Sequence, residues 1–121
     1  MKKSNLEQLQ NIAEQSRGEV YVKHGMGTSE QIHERYFTDF AKAMVDKLEK
    51  ENYQTSIIVT DNFELMGEIE GYNTEPADVT FSNGVPHCFV KVENEYETYF
   101  FDACDVQGVN SQDDLFYSLK N

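Results

Sequence analysis

The sequence predicts an α+β domain: an antiparallel sheet of about four to five strands packed on one long central helix, with short N- and C-terminal helices. Three observations carry this. Apolar residues recur at helical spacing from Ile32 to Leu48, β-branched and aromatic residues concentrate at 55–60, 87–93 and 96–102, and the segment order is α-β-α-β-loop-β-β-α. The length of 121 residues suits a single domain spanning 1–121 with one core.

The elements follow in order. Ser4-Asn5-Leu6-Glu7 reads as a capping box, and Leu6, Leu9, Ala13 and Ser16 share one face of a short helix over 5–17, ended by Gly18. Glu19–His24 alternates and predicts a strand, broken by Gly25-Met26-Gly27. Thr28 or Ser29 caps the long helix. Its stripe is Ile32, Tyr36, Phe37, Phe40, Ala41, Met44 and Leu48, and Asn52 ends it. Thr55–Thr60 is a buried strand by its β-branched content. Residues 61–78 are irregular, and Val79–Phe81 is a short strand before the Asn83-Gly84 turn. His87–Glu93 and Tyr96–Asp102 form a hairpin turning at Asn94-Glu95. Ser111-Gln112-Asp113-Asp114 caps a final helix carrying Leu115, Phe116 and Leu119.

The charge is unevenly distributed. Residues 1–50 hold 8 acidic and 8 basic residues, whereas 51–121 hold 14 acidic residues against Lys91 and Lys120, giving the whole net charge of −12. Such a field disfavours binding to nucleic acid or anionic membrane, both of which need cationic contacts. No stretch approaches the roughly 18 apolar residues of a membrane span. The residues after the two N-terminal lysines are polar, unlike a secretory leader. A cytoplasmic protein with reduced Cys88 and Cys104 is the expectation.

The candidate chemistry lies in the hairpin. A two-residue turn pairs 93 with 96 and so places His87 opposite Asp102 on one face, with Cβ atoms roughly 5 Å apart. A carboxylate there can orient an imidazole. A loop two residues longer pairs His87 with Cys104 instead. The plainer reading makes His87 a strand end and Asp102 the start of a turn.

Val85-Pro86-His87-Cys88-Phe89-Val90-Lys91-Val92, followed by Tyr99-Phe100-Phe101-Asp102-Ala103, resembles the second half of papain-like and transglutaminase-like cysteine hydrolase domains. Upstream, Phe37-Thr38-Asp39-Phe40-Ala41-Lys42-Ala43-Met44 resembles their nucleophile helix. The resemblance covers about 35–110. It implies that His87 stands where the general base stands and Asp102 where its orienting partner stands. The nucleophile position holds Phe37, and no cysteine precedes residue 88. The resemblance therefore implies a relative that kept the scaffold without the nucleophile.

Neither thiol is an obvious replacement. Cys88 adjoins His87 in a strand and points to the other face. Cys104 follows Asp102 by two residues, beside carboxylates that disfavour thiolate. A catalytic set of His87, Asp102 and Cys104 is the alternative reading. His24, His33 and His87 lack metal-ligand spacing, and Asp61, Glu64, Glu68 and Glu70 lack the pattern of a calcium loop. No metal or cofactor is expected.

Aromatics interleave with the acids of the second half. Phe63, Glu64, Glu68, Glu70, Tyr72, Glu75 and Asp78 lie in one segment, and Glu93, Glu95 and Glu97 at the hairpin tip. A solvated acidic surface alone would aid solubility. Carboxylates that steer a cationic partner and aromatics that anchor it define a binding surface. The composition is similar to that of small acidic phage inhibitors of the anti-CRISPR or DNA-mimic kind, and of toxin-immunity proteins. The expected function is a non-catalytic inhibitor of a basic, nucleic-acid-binding protein.

Overall fold

A computed structural model describes residues 2–25, 36–60, 66–77, 87–94, 96–112 and 114–115. Sequence order gives α1 (Lys2–His24), α2 (Phe37–Lys50), β1 (Gln54–Val59), a 3-10 turn (Met66–Ile69), β2 (Thr74–Pro76), β3 (Cys88–Glu93), β4 (Thr98–Asp102) and β5 (Asp105–Val109). The chain is α+β. Among the described residues two helices lie against a five-stranded sheet of order β2-β1-β3-β4-β5.

α1 departs most from expectation. It runs unbroken for 23 residues through Gly18 and absorbs the strand expected over 19–24. The reason is its buried stripe: Leu9, Ala13, Ser16 and Val20 keep helical spacing across the glycine, while Val22 points to water. Apparent alternation of Val20 and Val22 was one buried and one exposed helical position. Glycine within a helix costs about 1 kcal/mol, and packing of the flanking apolar residues outweighs it. The helix ends at Gly25, whose φ of +65° suits a residue without Cβ. Because the helix begins at Lys2, Ser4 lies in its first turn and not at its cap.

α2, 14 residues long in the described part, is shorter than α1 and so is not the longest element. The expected caps Thr28 and Ser29 and the stripe residue Ile32 lie outside the described residues. Phe37, Phe40, Ala41, Met44, Val45 and Leu48 are buried. Burying each large member removes apolar area worth about 1.5–3 kcal/mol. Asn52 ends the helix as expected. It adopts φ 68°, its amide donates to Glu49 O, and Tyr53 N donates to Leu48 O. This is a Schellman closure.

The sheet is mixed, correcting the antiparallel expectation. β2 runs parallel to β1, with Ile57 beside Thr74 and Val59 beside Pro76, while the remaining pairs are antiparallel. The edge strand β2 is short and contains Pro76, which has no N–H to offer a further strand. The expected strand over 79–81 lies outside the described residues. The β3–β4 register pairs Glu93 with Thr98, so four residues, not two, make the turn. Asn94 is the cause: its Oδ1 accepts from the amides of both Tyr96 and Glu97 at 2.8 Å. β5 has no counterpart in the sequence reading.

Strand alternation makes two cores. Ile57, Val90, Val92 and Phe101 face the helices. Ile58, Phe89 and Phe100 face the other way and are covered by Leu115. Leu115 belongs to the expected final helix, and Ser111 caps it: Asp114 N donates to Ser111 Oγ at 3.1 Å.

Candidate functional site

His87 and Asp102 meet, although not as the cross-strand pair the sequence suggested. Continuing the observed register sets His87 against position 104, so Asp102 is its diagonal neighbour on the same face. His87 Nε2 lies 2.7 Å from Asp102 Oδ1. Both residues are buried, at 4% and 1% exposure. A carboxylate at that distance accepts, which places the ring proton on Nε2.

Three neighbours fix the pair. Cys104 N donates to Asp102 Oδ2 at 3.1 Å, so both carboxylate oxygens are engaged. Thr60, just past β1, extends the ladder: His87 N donates to Thr60 Oγ1 at 2.9 Å, and Thr60 N donates to His87 O at 3.0 Å. Phe37, the first residue of α2, sets its ring 4.8 Å from the imidazole centroid. The start of α2, the start of β3 and the end of β4 thus converge at one end of the sheet. Positions 37, 87 and 102 come together there.

The thiols differ in placement. Cys88 is buried in the helix-side core, on the opposite face from His87. Cys104 occupies the tight turn between β4 and β5 and is partly buried, and neither cysteine is in a disulfide. Among the described residues no group of three or more His, Cys, Asp or Glu side chains is placed to hold a metal ion.

The acidic candidates divide. Phe63, Glu64, Asp78 and Glu95 lie outside the described residues, and Glu68 is described in its backbone only. Glu70 is exposed beside β2. Tyr72 donates to Asp46 of α2 at 2.8 Å; burial, then that bond, pushes its hydroxyl up to about 12. Glu75 and Glu93 flank Lys91 on the outer sheet face, at 3.0 and 2.8 Å. The Ser56 hydroxyl, then Lys91, hold the Glu75 carboxyl below its ordinary value. Glu97 accepts from the Tyr99 hydroxyl, which with burial raises the Tyr99 phenol. Glu75 and Glu93 therefore share the outer face of the sheet with Lys91 between them, whereas Glu97 bonds Tyr99 of the helix-side face. Asp102, by contrast, is buried at the far end and belongs to the imidazole.

Sequence reasoning named His87 and Asp102 but missed Thr60 and the role of Asn94. Thr60 closes the Thr55–Thr60 run, and Asn94 carries the ordinary signal of an Asx turn. Among the described residues no helix is long and apolar enough to cross a membrane. No family model matches the chain, and neither a curated protein nor a solved structure does.

Proposed function

We propose that this chain is a non-catalytic acidic binding protein, built on a cysteine-hydrolase-like arrangement, that inhibits a basic, nucleic-acid-binding protein through its acidic second half. One observation supports the non-catalytic part: the residue at the nucleophile position of the resemblance is Phe37, and its ring lies 4.8 Å from that of His87 between centroids. The imidazole bonds a carboxylate, and an inert phenyl ring packs beside it. The partner's chemistry follows from charge. A surface carrying most of −12 steers cationic patches inward and repels nucleic acid.

The test uses the immobilised full chain and lysate at low and high salt. Proteins retained at low salt are expected to be released both by about 0.5 M salt, where the Debye length is only a few Å, and by added duplex DNA or RNA competing for the same basic surface. Retention indifferent to nucleic acid rejects the reading.

A second reading has one observation in its favour. The Cys104 amide bonds to Asp102, which sets this thiol-bearing residue beside the dyad. A cysteine hydrolase with a relocated nucleophile would show fast iodoacetamide labelling of Cys104 near neutral pH, slowed by His87→Ala. Labelling at the rate of an ordinary thiol removes it.

A further inference from the structure

Steering a cation and anchoring it ask different things of a carboxylate. One already bonded within the chain must give up its partner to receive a cation, whereas a free one loses only water. Glu75, Glu93 and Glu97 are bonded to Lys91 and Tyr99. Glu19, Asp39 and Asp46 of the helices are bonded to Lys47, His24 and Tyr72. Glu7, Glu14 and Glu49 are exposed on α1 and α2. Glu70 is placed differently. It is exposed, no hydrogen bond or ion pair among the described residues engages its side chain, and it lines a groove of about 420 Å³ between the 3-10 turn and β2.

The groove owes its shape to what its walls lack. Gly67 and Gly71 line it, and a Cβ at either would meet no atom within 4 Å. Tyr72 is the firm wall. Its side chain packs on the helix-side core, and its hydroxyl donates to Asp46 at 2.8 Å. Thr74 continues the lining onto β2. The groove therefore offers an aromatic side chain and bare backbone, with one free carboxylate. An aliphatic stem with a cationic head matches that surface, and lysine and arginine have this form. The charges of Asp46 and Glu49 also reach Tyr72, offset in part by Lys50 one turn beyond Asp46. An anionic or purely aliphatic occupant would meet Glu70 without compensating it.

We propose that the groove between the 3-10 turn and β2 receives one lysine or arginine side chain of the basic partner, with Glu70 pairing the charged head. This rests on the acidic-binder reading and deepens it, assigning the anchor to one concave site and leaving the bonded carboxylates to steer.

The probe is a nona-arginine peptide titrated into the full chain at low salt, with amide shifts recorded by NMR. The expected result is binding with shifts centred on 67–74. Glu70→Gln keeps the shape of the side chain and should weaken the peptide by roughly 2- to 5-fold, the range of an exposed ion pair. Gly67→Leu changes no charge and adds its side chain to open space, so it should weaken binding by obstructing the groove. Glu14→Gln removes the same charge from α1 and should change affinity less than Glu70→Gln. Equal effects of Glu70→Gln and Glu14→Gln overturn the proposal, as does unchanged affinity in Gly67→Leu. Lysate proteins released by nucleic acid but retained equally by wild type, Glu70→Gln and Gly67→Leu also overturn it, while leaving the acidic-binder reading standing. Wild-type retention indifferent to nucleic acid removes both.

Discussion

The rings of Phe37 and His87 lie 4.8 Å apart between centroids, tilted by 59°. A helix N-terminus and a strand start are joined by this contact, and Asp102 lies 2.7 Å from the imidazole Nε2. The side chain at position 37 is therefore one of the groups that the imidazole touches.

Phe37→Cys should put a thiol where the imidazole can influence it. Loss of the ring leaves a cavity, and a cost of about 2–4 kcal/mol is expected from large-to-small core changes. If the arrangement is hydrolase-like, the new thiol reacts with iodoacetamide at pH 7 faster than in Phe37→Cys/His87→Ala, read by mass spectrometry at each cysteine. Equal rates count against the scaffold reading.

The dyad should matter asymmetrically for stability. His87→Ala takes the imidazole away from the buried Asp102 carboxylate, and breaking such a pair costs about 3–5 kcal/mol. Asp102→Asn keeps an acceptor for the Cys104 amide and should cost less, about 1–2 kcal/mol. Urea unfolding at pH 7 separates them. Similar values for both variants would mean that the buried carboxylate is not what the imidazole compensates.

Gly108→Ala tests the closeness of β5 to the core. Gly108 has φ +85°, and a Cβ there would lie 2.7 Å from the ring of Phe101, which is fully buried. The ring has nowhere to move, so overpacking and backbone strain add, about 2–4 kcal/mol together. At this size a loss of that order lowers the melting temperature by roughly 5–15 °C. An unchanged melting temperature would contradict the register shift between Phe100 and Asp102.

The Glu75–Lys91–Glu93 group sets a pH window. Glu75 is held below its ordinary 4.5, so its contribution exists above the unfolded value and fades as pH falls through the folded one. Lys91 is held above 10.5, with Glu93 first among the causes, so its contribution is complete below 10.5 and fades as pH rises through the folded value. Lys91→Met should therefore lower stability between about pH 5 and 10 and converge with wild type in acid. The carboxylates are partly exposed, at 43% and 38%, so solvent screening should keep the loss under about 1 kcal/mol. Melting curves across pH check this, and a constant difference down to pH 3 would contradict it.

Much of the fold could be read from local patterns. The α2 stripe, the β1 run, both hairpin strands, the Asn52 terminus and the Ser111 cap depend on residues close in sequence, and these agree. What failed depended on distant contacts or on ambiguous periods. Val20 and Val22 fit a strand and a helix equally until Leu9 and Ala13 extend the stripe beneath them. The parallel placement of β2 follows from a chain return with no local signature. The hairpin turn was misjudged because the side chain of Asn94 closes a longer loop. That error left the dyad intact, because a shift of two residues keeps every side chain on its face. The contact of Phe37 with His87 had no signature in spacing and entered only through resemblance.

Leu115 has a consequence for how the molecule is made. Ile58, Phe89 and Phe100 are translated well before it, and it shares their cluster with Ala77 and Val109 packed at its edge. A chain emerging from the ribosome exposes a greasy flank until this last latch arrives. Completion must come late, and until then the growing polypeptide offers chaperones and proteases a ready handle.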